Sequence, residues 1–303
     1  MAFTVTKVSK RRGKNWILRD VSFNVEDGEI VGLFGAAGSG KTTLLELIAG
    51  KLKPEGGSVD AKDVRFPAAE SNSGWSIFGS QKPVDRVGHL NAIANITAGN
   101  LLLDDPFAGL DRLSKDVYYA RLRDSTQNVS ILFATSDYDE VMAFADRVVV
   151  LDGGTVAQEG TPQVIYNEPA TTKIAVLTGR CNLITARRLT SNKADLPEFV
   201  TIDGEHRLFA VKPDNNSLGA INRNLSLAIR PEQIPLSFGA SFPEDNLLKA
   251  TVTGHQFLGP QTIIDLDANG LILEAAVPRL VGLNIGDECM VGLPPDRLRI
   301  LKD

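Results

Sequence analysis

Cysteine is nearly absent. Cys181 and Cys289 are the only two in 303 residues, they lie far apart, and neither has metal-ligand partners nearby. That excludes a disulfide framework and a zinc site and suits a reducing compartment. Long apolar runs are missing too: no stretch approaches the ~18 residues of a membrane span. Lys7, Lys10, Arg11, Arg12 and Lys14 occupy the place where a secretory leader would need its apolar segment. The expectation is a cytoplasmic chain with, at most, a peripheral membrane role. Charge of one sign is scarce as well. The net charge is −5 and the one basic run, Lys10-Arg11-Arg12, reads as a solvated turn, so nucleic acid is not expected as a partner. None of the three histidines, His89, His206 and His255, stands in a ligand or nucleophile pattern, and surface or satisfied polar roles are expected for them.

What is present is 43% apolar and 23% charged residues, enough for a sizeable core and for about two domains. Phe3–Thr6 and Val21–Val25 alternate like strands, Glu26-Asp27-Gly28 is a turn, and Ile30–Phe34 is apolar enough for a central strand. From Thr42 to Leu52, leucines and Ile48 recur at helical spacing, and Lys53-Pro54-Glu55-Gly56-Gly57 is expected to end that helix. Asn100–Asp104, Val129–Thr135 and Arg147–Leu151 are short apolar runs separated by helix-like stretches at Arg112–Asp124 and Asp139–Phe144, the alternation of a parallel α/β sheet. Asp152-Gly153-Gly154 turns into Thr155–Gly160, and Thr161-Pro162 opens a helix toward Tyr166. Beyond about residue 180 short alternating strands recur with turn signals between them, from Phe199–Ile202 to Arg297–Leu301. The expected domains are 1–170 and 171–303, with the boundary in 165–180.

Gly35-Ala36-Ala37-Gly38-Ser39-Gly40-Lys41-Thr42 matches G-x-x-x-x-G-K-[ST] at every fixed position, between a predicted strand and a predicted helix. Glycines let successive amides point at phosphate oxygens, the helix start adds partial positive charge, Lys41 reaches the outer phosphates, and Thr42 offers a hydroxyl to Mg²⁺. Thr43 completes the nucleotide-binding set. Leu101-Leu102-Leu103-Asp104 is an apolar strand ending in an acid, the place of the Mg²⁺-holding carboxylate beside a phosphate loop, and Asp105 could polarise the attacking water. The alternative is that the two acids only cap the next helix.

These residues resemble the ATP-binding subunits of ABC transporters of importer type. Gly35–Thr42 is similar to the family's Walker A, Leu101–Pro106 to its Walker B, and Phe107-Ala108-Gly109-Leu110-Asp111 to its D-loop. Ala145–Gly154 and Gly160-Thr161-Pro162 are similar to the family's segment after the switch strand. Leu227-Ala228-Ile229-Arg230-Pro231-Glu232 and the last strands resemble the TOBE regulatory domain. The resemblance implies an α/β P-loop NTPase core, followed by an all-β OB-like TOBE domain. It also implies ATP and Mg²⁺ as ligands, a homo- or heterodimer of ATP-binding subunits, membrane permease partners, and coupling of ATP to solute uptake. Gln81, forty positions after Lys41, is the candidate for the family's metal-contacting glutamine.

The departures from the pattern carry their own expectations. No Leu-Ser-Gly-Gly-Gln string occurs, and only 22 residues separate Gln81 from Asp104, too few for the family's helical subdomain, which is therefore expected to be reduced. The family's sites are composite, so a homodimer of this chain would lack the signature on both sides. Asp105 stands where the family has Glu, Ser136 where it has the switch histidine, and Arg12 where it has the adenine-stacking aromatic, with Trp16 a substitute. Hydrolysis by the chain alone is expected to be weak or partner-dependent. The competing expectation is a nucleotide-sensing module that no longer drives transport.

Overall fold

The computed structural model describes residues 2–67, 98–126, 128–190, 196–211, 218, 221–237, 246–278 and 282–301. The chain divides into two compact units, Met1–Asn167 and Glu168–Asp303.

In the first unit β1 (Phe3–Arg12), β2 (Asn15–Val25) and β4 (Gly56–Ala61) form an antiparallel sheet in the order β2-β1-β4. The second sheet has six strands, ordered β5-β6-β7-β3-β8-β9. These are β3 (Ile30–Phe34), β5 (Val64–Arg65), β6 (Gly99–Asp104), β7 (Val129–Thr135), β8 (Arg147–Asp152) and β9 (Thr155–Gly160). Its first five strands run parallel, and β9 returns antiparallel from β8 through the Gly153-Gly154 turn. All five residues of β3 and all seven of β7 are buried. Strands covered on both faces need such unbroken apolar runs, which is why they are legible as central. The helices are α1 (Lys41–Ile48), α2 (Arg112–Ser125), α3 (Tyr138–Phe144) and α4 (Pro162–Asn167). One core joins Val31, Leu33, Leu44, Leu45, Leu102, Leu132 and Val149 with Phe3, Val5 and Leu18 of the antiparallel sheet.

Some boundaries depart from expectation, and Lys10-Arg11-Arg12, expected as a turn, forms the end of β1. The helix expected to reach Leu52 ends at Ile48, because Gly50 takes a φ of 70° and breaks the hydrogen-bond ladder. Gly56 and Gly57, expected only as a terminator, begin β4. A side chain on Gly57 would come within 2.3 Å of the Thr6 and Lys7 carbonyls, so glycine there lets β4 lie against the bulge between Thr6 and Ser9.

The second unit opens with α5 (Thr172–Leu177) and two five-stranded antiparallel sheets. The first, ordered β12-β11-β10-β13-β19, contains β10 (Asn182–Arg188), β11 (Glu198–Thr201), β12 (Arg207–Phe209), β13 (Asn224–Ile229) and β19 (Arg299–Leu301). The second, ordered β14-β18-β15-β16-β17, contains β14 (Leu236–Ser237), β15 (Leu247–Phe257), β16 (Thr262–Ala268), β17 (Leu271–Val277) and β18 (Glu288–Gly292). Ile184, Phe199, Leu227, Ile264, Leu266 and Val291 form its shared core.

Buried asparagines join the two sheets. Asn182 donates to the Glu274 carbonyl at 2.8 Å and accepts from the Glu274 amide at 2.7 Å, pairing with the edge of β17 as a strand would. Asn246 does the same for Phe209, at 2.6 Å in each direction, and also donates to the Leu293 carbonyl. Arg230, 3% exposed, donates to the carbonyls of Ala175 and Arg180 and to the Thr178 hydroxyl, closing the end of α5. Burial pushes both cysteine thiols up, toward the protonated form.

Candidate functional site

The strand order puts β7 between β6, which carries the acids, and β3, which carries the glycine loop. Phe34 pairs with Thr135, and Asp104 with Ala134, so the three strands end level with one another. Asp105 continues the ladder by donating its amide to the Ala134 carbonyl at 2.9 Å. Gly35, Asp105 and Ser136 thus leave the sheet side by side at its carboxyl edge, where open α/β sheets bind ligands.

The loop is built by close approach. A side chain on Gly35 would lie 2.4 Å from the Leu151 carbonyl, and one on Gly40 would lie 2.7 Å from Leu18 of β2. Gly38 and Gly40 have φ of 79° and 105°, which turn the backbone into the start of α1. No side chain caps that helix start. The Ser39 hydroxyl is buried with no hydrogen-bond partner, although a buried hydroxyl ordinarily has one. Lys41 is buried, and its ammonium donates to the Gly35 carbonyl at 2.8 Å and the Ala36 carbonyl at 3.1 Å, which places the charge inside the curl. Uncapped amides, an unpaired hydroxyl and an enclosed cation together make a cradle for an anion.

Charge around this cation is finely set. Burial pulls the Lys41 pKa down, while Asp105 and then Asp104 pull it back up. Asp104 moves the other way: burial raises it, the Thr42 hydroxyl bonded to it and the Lys41 charge lower it, and Glu46 adds to the rise. Thr42 and Asp104 therefore meet as a hydroxyl–carboxylate pair one residue from the loop lysine. Among the described residues no three His, Cys, Asp or Glu side chains are placed to hold a metal by themselves. A Mg²⁺ ion that rides on phosphates needs only one or two protein oxygens, and this pair is of the right kind.

Ala36, Ala37 and Gly38 are exposed on the loop, Thr42 is exposed and Thr43 half-buried on the first turn of α1, and Asp105 and Ser136 are exposed beside them. Asp105 has a φ of 44°, a conformation Asp tolerates better than most residues. The next helix is capped by neither Asp104 nor Asp105. Asp111 does that, accepting from the Ser114 amide at 2.9 Å, so a capping role for the acid pair is overturned. Arg12 lies exposed at the tip of the β1–β2 hairpin, and the guanidinium over the Trp16 ring belongs to Arg11, 3.9 Å from its centroid. Gln81 lies outside the described residues, as do His89 and the segment expected to be a reduced helical subdomain.

Sequence reasoning missed four residues behind Ser136. Thr135 donates to Glu140 at 2.6 Å, and the Asp137 amide donates to the Thr135 hydroxyl at 3.0 Å. Lys115 lies 2.7 Å from Glu140 and 3.0 Å from Asp137. The spacing of Asp137 and Glu140 at the head of α3 was a visible signal for a cap, but Lys115, on another helix, was not.

A glycine loop leading from a parallel strand into a helix, with a threonine–aspartate pair at its mouth, defines a P-loop nucleotide-binding domain. Residues 18–108 match the model of the ABC transporter family, and residues 227–301 match that of the TOBE domain. The Fe(3+) ions import ATP-binding protein FbpC of Photorhabdus laumondii is 26% identical, over 98% of this chain and 96% of that one. The spermidine/putrescine import ATP-binding protein PotA of Haemophilus ducreyi is 28% identical, over 89% of this chain and 84% of that one. The first of these alignments runs over 353 positions against the chain's 303 residues, so at least 50 of its positions are gaps in this chain. The chain belongs to the ABC transporter family, as an ATP-binding subunit of importer type with a TOBE domain. Nothing in these matches supports a nucleotide-sensing module detached from transport. Membership implies ATP and Mg²⁺ as ligands, and a dimeric ATPase with permease partners. Among the described residues no helix is long and apolar enough to cross a membrane.

Proposed function

We propose that ATP binds with its phosphates in Gly35–Thr43, that Lys41 holds their outer oxygens, and that Thr42, Asp104 and Gln81 hold Mg²⁺. The observation that carries this reading is the convergence of an enclosed ammonium, an unpaired buried hydroxyl at Ser39 and the Thr42–Asp104 pair on one loop. Mg²⁺, when bound, neutralises phosphate charge and aligns the terminal phosphate. Asp105 and Ser136 flank the place where that phosphate would sit: Asp105 accepts a proton from water, and Ser136 offers a hydroxyl without a positive charge. Arg12 and Trp16, on the hairpin beside Gly40, serve the base.

The relatives are named for Fe(3+) and for spermidine/putrescine import at nearly equal identity, so what they share with this chain is the ATP-binding part and no single cargo. Without a Leu-Ser-Gly-Gly-Gln string, two copies of the chain cannot complete each other's sites as the family does, and turnover calls for a signature-bearing partner. We place the assembly at the cytoplasmic face of a membrane, against permease subunits. Calorimetric titration with Mg·ATP, beside a phosphate-release assay, tests this. Binding weakened about 100-fold in Lys41→Ala, with little turnover by the chain alone, is expected. No binding by the wild type would sink the reading, and turnover by the isolated chain at the rate of signature-bearing subunits would sink its second half.

A further inference from the structure

Lys115 lies on α2, one turn past the helix start, and no motif points to it. Yet it closes a polar ring with three residues around Ser136. Its ammonium reaches Oε1 of Glu140 at 2.7 Å and Oδ2 of Asp137 at 3.0 Å. The remaining oxygen of Glu140 accepts from the Thr135 hydroxyl at 2.6 Å, and that hydroxyl accepts from the Asp137 amide at 3.0 Å. The other Asp137 oxygen caps α3, accepting from the Asp139 amide at 3.0 Å. Every bond of the ring except that between Lys115 and Glu140 falls on a neighbour of Ser136, and none falls on Ser136 itself, which is exposed at the sheet edge between Gly35 and Asp105.

Burial decides how firmly the ring holds. The Glu140 side chain is only 3% exposed, and a buried carboxylate without its cation would cost several kcal/mol, so the ring breaks as a unit or not at all. Burial by itself would lower the Lys115 pKa, but hydrogen bonds and charge from Glu140 and Asp137 outweigh it and keep the ammonium charged. Thr135 is one residue beyond Ala134, whose carbonyl holds the Asp105 amide. The ring thus fixes Ser136 against the backbone of the two acids, and does so from the helix that begins after Asp111.

We propose that Lys115 is a positioning residue for the nucleotide site: with Glu140 it fixes Ser136 where its hydroxyl meets the terminal phosphate, so that the preference for ATP over ADP depends on it. The proposal rests on the assignment of Gly35–Thr43 as the phosphate-binding loop. Its test is the ratio of Mg·ATP to Mg·ADP affinity, measured by calorimetry on the full chain for wild type, Lys115→Met, Lys115→Arg, Ser136→Ala and the Lys115→Met/Ser136→Ala double variant. Melting temperatures recorded alongside expose any loss of fold. Lys115→Met and Ser136→Ala should each cut the ratio by about fivefold, the size of one hydrogen bond to a charged group. The double variant should be no worse than either single one, since both remove the same contact. Lys115→Arg should restore most of the ratio.

A purely structural lysine would lower the melting temperature and leave the ratio alone, and that result overturns the proposal. So does a double variant whose losses simply add. Should Lys115→Met fail to fold, Glu140→Gln keeps the shape and breaks the charge pairing, and an unchanged ratio there overturns the proposal equally. A wild-type chain that binds neither nucleotide overturns the loop reading and this inference together. A wild-type chain that prefers ATP, with a Lys115→Met variant that matches it, overturns the inference alone.

Discussion

Buried polar groups at the phosphate loop and three buried polar side chains of the β module do opposite work. In the β module Asn182, Asn246 and Arg230 are turned onto backbone groups of neighbouring elements, and their contacts join one strand or helix end to another. At the carboxyl edge of the parallel sheet the polar groups stay under-used. Ser39 has no hydrogen-bond partner, Lys41 borrows loop carbonyls, and burial raises the pKa of the Asp104 carboxyl. Satisfied polar burial is joinery, whereas unspent hydrogen-bonding capacity gathered beside an enclosed cation and an uncapped helix start, as at Ser39, suits an anionic ligand.

Asn246→Ala should break that contrast from the structural side. It strands the amide and carbonyl of Phe209 in a site where Asn246 is 1% exposed, at a cost of about 3 kcal/mol, read as an early melting transition with Mg·ATP binding retained. Lys41→Ala should do the reverse: affinity for Mg·ATP falls by about 100-fold, equal to roughly 2.7 kcal/mol, while thermal stability hardly changes because a buried ammonium has been removed.

Asp104→Asn comes next in size, abolishing the Mg²⁺ dependence of ATP binding, and the variant should be at least as stable as wild type at pH 7. Because the Asp104 pKa is raised, the folded form holds its proton to higher pH than the unfolded chain does. This group therefore subtracts stability as pH rises through the ordinary carboxylate range and beyond, and asparagine escapes that loss. For the same reason Mg²⁺-dependent binding by wild type should weaken on acidification sooner than an ordinary aspartate would allow, which a titration series from pH 7.5 to about 5 checks. The smallest effect is expected of Asp105→Asn. It removes negative charge beside Lys41 and should tighten ATP binding by about twofold while lowering any turnover.

Much of the fold was legible because it rests on buried runs. β7 coincides with the run expected for it, and the Gly153-Gly154 turn was plain from its residue types. β10 escaped notice because its alternation is inverted where it matters: Asn182 faces in and Leu183 faces out, 41% exposed, so the pattern carries no clean apolar face. Asn182 is inside because it pairs with the Glu274 backbone, a partner 92 residues away that no local pattern can announce. At the site the phosphate loop declared itself through spacing alone, since its glycines answer local backbone needs. The ring around Ser136 did not, because Lys115 meets Glu140 only once two helices have packed on the sheet.

By itself, the sequence determined the parallel core, the phosphate loop, the aspartate at the end of β6 and the change to a β module, all of which arise from short-range hydropathy and glycine chemistry. Tertiary structure alone decided that Asp111, and neither acid of the pair, caps α2, that Arg11 covers Trp16, and that Lys115 stands behind Ser136. Those are choices among hydrogen-bond and charge partners that local sequence leaves open. Chain order does not rank them; distance and burial in the folded molecule do.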